Sequence, residues 1–187
     1  MELVREQLGL NKPLPQQYIS YVTGLVKGDL GTSLRTKRPV LTEVQGRYMN
    51  TVQLTLLSLT WSVIAGVLIG VWSGRNRSKW QDYTGMTVAV SGISMPSFWI
   101  GFMLIMVFAV KYRLLPTTGA GSFKNLILPS ITLGVSIAAI IARFTRSSVI
   151  EVLKEDYVRT ARAKGLREKT VIWKHVFRNC MISVVTV

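Results

Sequence analysis

Acidic residues are scarce in this chain. Nine Asp and Glu stand against 23 Lys and Arg in 187 residues, and charge of either sign reaches only 17%, where soluble domains carry nearer a quarter. So little charge beside 49% hydrophobic residues argues against an ordinary water-soluble surface. A single cysteine, Cys180, excludes an intrachain disulfide and a cysteine-cluster metal site, leaving a small apolar packing residue as its plain reading. Also missing is the phosphate-cradling G-x-x-x-x-G-K-[ST] loop; its nearest relic, Glu168-Lys169-Thr170, has no glycine before the lysine. No catalytic, cofactor-binding or metal-ligating constellation is found. Residues 1–47 are punctuated by charge at Glu2, Arg5, Glu6, Lys12, Lys27, Asp29, Arg35, Lys37, Arg38 and Glu43. No signal peptide is therefore expected there, and insertion is expected to rely on later segments.

What the chain does have is long uncharged runs. Residues 49–72 and 83–110 carry no charge at all, and each exceeds the roughly 20 residues that cross a bilayer core. A third run, 125–142, is marginal in length, with Lys124 and Arg143 placed to snorkel at its ends. A fourth starts at Asn179 and reaches only Val187, which predicts a fragment of a longer polypeptide, because a chain stopping in lipid leaves backbone groups unsatisfied. The formal charge of +14 would suggest nucleic acid in a soluble protein. Here the basic residues gather between apolar runs, as lipid-facing loops require, so membrane lipid and not nucleic acid is the expected partner. Residues 143–178 hold ten Lys or Arg, which predicts a cytoplasmic loop there and places the 75–82 turn on the same side.

Three local patterns carry mechanism. Ser58, Ser62, Gly66, Gly70 and Gly74 recur at steps of four, a small-residue stripe that lets another helix approach; plain packing and a moving interface both fit it. Ser91, Gly92, Ser94, Pro96 and Ser97 interrupt the second run. Pro96 cannot donate to the Gly92 carbonyl, which predicts a kink or local break near Gly92 and a segment lining a path; an ordinary membrane-helix proline fits as well. Third, residues 151–164 put acids early and bases late, the polarity a helix dipole favours, and Gly165 supplies a stop. Val149, Leu153, Tyr157 and Ala161 form its expected apolar seam, followed by a second amphipathic stretch with Ile172, Trp173, Val176 and Phe177. Two short helices joined at a glycine make a knob that a partner groove could grip, or they could lie on the membrane surface. No Asp, Glu, Lys, Arg or His lies inside the three runs, so no proton or sodium relay is visible. A channel or secondary transporter is the rival membrane reading; a basic nucleic-acid or signalling adaptor is the soluble one.

The stretch Asp156-Tyr157-Val158-Arg159-Thr160-Ala161-Arg162-Ala163-Lys164-Gly165 resembles the cytoplasmic coupling motif E-A-A-x-x-x-G of ABC importer permeases, in its dipeptide, oligopeptide, nickel and glutathione branch. The motif's E and first A fall on Arg159 and Thr160, a departure from the consensus; Ala161 and Gly165 match. Further landmarks resemble the same family: Gly28-Asp29-Leu30-Gly31-Thr32-Ser33, Arg38-Pro39-Val40, Ala89-Val90-Ser91-Gly92-Ile93-Ser94, Leu128-Pro129-Ser130, Ala142-Arg143-Phe144-Thr145-Arg146 and His175-Val176-Phe177-Arg178-Asn179. The resemblance implies an all-α integral membrane protein, a polytopic helical bundle of the type I importer class, truncated at both ends to about three complete transmembrane helices. Residues 1–47 would be periplasmic. Residues 48–187 would be a truncated transmembrane domain with spans near 49–73, 84–110 and 125–142, a coupling loop at 143–178 and the start of a span at 179–187. Implied partners are a second, similar permease subunit, two cytoplasmic ATPase subunits and a periplasmic solute-binding protein, all at a bacterial inner membrane. No chemistry on the solute is implied, and whether the piece works alone stays open.

Overall fold

The computed structural model describes residues 11–119 and 121–185. Expectations for residues 1–10 and for 186–187 lie outside them. Two compact units divide the chain, Met1–Thr51 and Val52–Val187.

In the first unit, helix α1 (Leu14–Val26) starts where the Pro13 carbonyl accepts the N–H groups of Gln16 and Gln17, and buries none of its residues. After it the chain doubles back through a bridge between Thr32 and Pro39, and Asp29 Oδ1 accepts the Gly31 N–H at 2.8 Å. That bridge is the only extended pairing among the described residues.

The second unit is helical. It is built on α2 (Val40–Arg75), whose first turns lie in the first unit, and α5 (Phe123–Val152). Between them in sequence come α3 (Trp80–Ser94) and α4 (Ser97–Leu104), the latter running into a π-helical segment, Ile105–Lys111. Then follow α6 (Asp156–Ala163), α7 (Glu168–Thr170), a second π segment (Val171–Val176) and α8 (Phe177–Val185), the last three abutting without a gap. α2 and α5 are each long and apolar enough to cross a membrane, and α3 with the α4 segment makes a third if the bent pair counts as one span.

The α2–α5 contact is made by absence of side chains. A Cβ on Gly66 would stand 2.6 Å from the Ala138 carbonyl oxygen, and one on Gly70 would stand 2.5 Å from Thr145 Cβ. Separations that small mean the two backbones nearly touch, the arrangement small residues permit where lipid offers no hydrophobic drive. Hydrogen bonds then fix the register: Ser62 Oγ donates to the Gly134 carbonyl at 3.0 Å and Trp61 Nε1 to that of Ser130 at 3.0 Å.

The helix that carries the 125–142 run continues ten residues past Ala142, to Val152; Arg is a good helix former, and Arg146 has an acidic partner that offsets its charge. Three expectations change. The bend expected near Gly92 lies instead at Met95–Pro96 and is a break of 103°. A residue before proline is pushed into extended geometry, and Met95 has ψ 131° while Pro96 becomes the N-cap of a new helix. Gly92 itself is an ordinary helical position buried against Val135. The single helix expected over 151–164 is two pieces, with Glu155 extended at the N-cap of α6. Its buried positions are accordingly Val158 and Ala161, and Tyr157 is 41% exposed instead of forming the seam. Finally, the amphipathic stretch near 170–177 is largely π-helical: Ile172 and Val176 are buried, Trp173 is exposed, and its ring tilts against Phe177 at 5.2 Å.

Candidate functional site

α6 is short, yet its ends are well specified. Asp156 stands in the first turn and Arg162 in the last, both favoured by the helix dipole. At its end Gly165 takes φ +76°, its N–H donates to the Arg162 carbonyl at 2.9 Å, and the Leu166 N–H donates to that of Ala161 at 3.3 Å. That pair of bonds is the Schellman cap, whose left-handed residue is easiest for glycine. Val158 and Ala161 turn inward into one buried cluster with Val149 of α5, Val171, Val176 and Cys180. Asp156, Tyr157, Arg159, Thr160, Arg162, Ala163, Lys164 and Gly165 all remain exposed. The helix is thus anchored by one face and presents a mixed, largely basic ridge on the other. Arg162 closes the following turn by a two-toothed ion pair with Glu168, 2.8 Å at the shorter contact, and holds the Glu168 carboxyl below its usual range.

The second region is a groove of about 610 Å³ along α3. Met86, Thr87, Val90, Ser91, Ser94 and Met95 form its wall, with Asp82 and Arg146 at the start of the helix. Of the residues expected on a path, the structure brings Ser91 and Ser94 to this groove. Gly92 faces α5, and Pro96 and Ser97 are exposed at the break without lining it. Both groove serines donate their hydroxyls to the helix behind them, Ser91 to Thr87 and Ser94 to Val90, so the wall shows mainly apolar surface. The stripe residues Ser58, Ser62, Gly66, Gly70 and Gly74 are all buried; the glycines lie against α5, Gly74 beside Val149.

Charge counting missed the strongest polar cluster. Asp82, the one acid in the basic 75–82 turn, is 3% exposed and collects four donors. Arg146 Nε and Nη2 reach its two oxygens at 2.5 and 2.7 Å, Ser73 Oγ donates at 2.6 Å and the Ser78 N–H at 3.0 Å. The cluster therefore ties the end of α2, the 76–79 turn and the start of α3 to α5. The available signal was the acid's position: Asp82 follows the tight turn at a helix start, where a carboxylate is favoured.

Residues 66–187 match the family described as binding-protein-dependent transport system inner membrane component. Among curated proteins the chain is 52% identical over its whole length to the glutathione transport system permease protein GsiC of Pectobacterium atrosepticum. It is 51% identical to the proteins of that name from Escherichia coli K12 and Shigella dysenteriae. In each case all of this chain aligns with 61% of the relative, so it spans about three fifths of the length of the relatives it matches.

Proposed function

We propose, from the premise that this chain belongs to the binding-protein-dependent transport system inner membrane component family, that it is a permease subunit of a bacterial ABC importer. It sits in the inner membrane, forms part of a solute path and is driven by separate ATPase subunits. The solute class is a peptide, with glutathione the first to test, since the similar proteins carry that name. A second permease subunit completes the path, two cytoplasmic ATPases grip it, and a periplasmic protein delivers the solute. The observation that carries this reading is α6: one face is locked into the core and the other is a free ridge aimed by a glycine cap.

In this reading residues 156–165 are the coupling element, and the α3 groove with Ser91 and Ser94 is a wall of the path. Residues ahead of α2 lie in the periplasm, and the 76–79 turn lies with α6 in the cytoplasm, following the basic bias of those loops. The test uses the transporter assembled with its partners. Gly165→Val forces a β-branched side chain into a left-handed turn, a strain of about 1–2 kcal/mol that re-aims the ridge without unfolding the bundle. Glutathione uptake is expected to vanish while the subunit still reaches the membrane in normal amount. Normal uptake would remove the coupling assignment. Cysteines at Ser91 and Ser94 should react with a water-soluble maleimide to an extent that depends on nucleotide, and inertness in every state would leave the groove a packing defect.

A further inference from the structure

The mechanical question the bundle leaves is how motion at α6 reaches the α3 wall. Most contacts between α3 and α5 are small and apolar: Ala89 packs with Ala139 and Ala142, and Gly92 lies against Val135. Those contacts fix the register by fit alone, with no directional bond. One contact differs. Arg146 presents a planar fork to both oxygens of Asp82, a directional two-bond contact that draws α3 along with α5 when either helix shifts.

Its position on α5 is equally telling. Val149 lies three residues on and is fully buried in the cluster that receives Val158 and Ala161 of α6, and α5 continues without a break from Arg146 to Val152. α6 packs on the second π segment and α8 on α5, so a displacement of α6 passes through the cluster they share with Val149, then along α5 one turn back to Arg146, then to Asp82 at the start of α3. From there α3 carries it along the groove to Ser91 and Ser94. Ser73 and the Ser78 N–H hold the Asp82 carboxylate from behind, so it cannot follow Arg146 by swinging its own side chain.

We infer that Asp82 and Arg146 are a positioning pair, the link that transmits movement of the coupling helix to the wall of the solute path. This rests on the transport reading above and adds to it the residues by which the two regions are joined. Both residues also stand at the end of the groove, so the nucleotide-dependent labelling of a cysteine at Ser94, which needs no solute, separates transmission from contact with solute. A purely structural pair would lower the amount of folded subunit, and uptake with it; a transmitting pair separates ATP hydrolysis from transport.

The experiment compares wild type with Asp82→Asn and Arg146→Lys in the assembled transporter reconstituted in lipid. Radiolabelled glutathione uptake and ATP hydrolysis are both measured per recovered complex. In Asp82→Asn and Arg146→Lys the ratio of uptake to hydrolysis is expected to fall tenfold or more, because the coupling ridge still engages the ATPases but α3 no longer follows. Arg146→Lys keeps the charge and loses only the fork, so it carries the test should Asp82→Asn be recovered poorly. An unchanged ratio in both single variants overturns the inference, as does a parallel fall of uptake and hydrolysis in recovered complex. Wild type that hydrolyses ATP without taking up glutathione would count against the solute assignment alone. In that event a maleimide-reactive cysteine at Ser94 decides: its nucleotide-dependent labelling should be lost in Arg146→Lys, and its retention would overturn the link.

Discussion

Two carboxylate–guanidinium pairs in this chain have the same two-toothed geometry and very different surroundings. In the Asp82–Arg146 pair the acid side chain is 4% exposed and two further donors hold it; in the Glu168–Arg162 pair acid and base are 43% and 42% exposed. Water and salt reach the second freely, so it can contribute little beyond closing the turn after α6. The first lies where removing a partner strands a charge, and breaking such a pair is far more costly than its absence in an apolar core would be. The difference separates a bond that joins distant elements, 64 residues apart, from one that trims a local turn.

Asp82→Ala presses this comparison hardest. It leaves Arg146 without its partner, a change that costs about 3–5 kcal/mol for buried pairs. The lower end is expected, because the Arg146 side chain keeps 30% exposure and can turn toward water. The purified complex in detergent should show a clear drop in thermal midpoint. A drop no larger than that of an exposed-pair variant would erase the distinction. Ser73→Ala comes next: it removes one of the donors but leaves the fork in place, so about 1–3 kcal/mol is expected for a lost hydrogen bond to a charged group. Measured together, Asp82→Ala and Ser73→Ala should be less than additive, since both act on one carboxylate.

Local chemistry made parts of this structure legible in the sequence. The glycine cap at Gly165 could be read because the dipole-ordered charges and the glycine lie within one short stretch. The stripe from Ser58 to Gly74 could be read because four-residue spacing alone puts small residues on one helix face. Pro96 was legible as a kink or break but not in place: the lost bond pointed to Gly92, whereas the extended geometry forced on Met95 ended one helix there and let Pro96 begin another. Arg143 marks the end of an uncharged run but not of the helix, which continues through it. The Asp82–Arg146 pair was beyond reach, since its partners meet only once α3 and α5 are packed.

The smallest effect, and the one that sharpens the comparison most cleanly, is expected from Glu168→Gln. The Arg162 guanidinium stabilises the charged carboxylate, so the Glu168 pKa is lower in the folded chain than its ordinary value of 4.5. A lowered folded pKa means that the pair's contribution is fully present above the ordinary value and is lost as pH falls from there through the folded one. At neutral pH and low salt it should be worth about 0.2–1 kcal/mol, as for other exposed pairs. High salt should remove most of that, because the Debye length at 1 M is about 3 Å. Thermal midpoints of wild type and Glu168→Gln should therefore differ slightly at pH 7 in dilute buffer, converge in 1 M salt and converge again in acid. Asp82→Ala should keep its deficit in salt, since the side chain it exposes to loss is shielded from ions by α2, α3 and α5. A Glu168→Gln deficit that survives salt as well would place both pairs in one class, and burial would no longer explain why one of them joins the helices and the other only closes a turn.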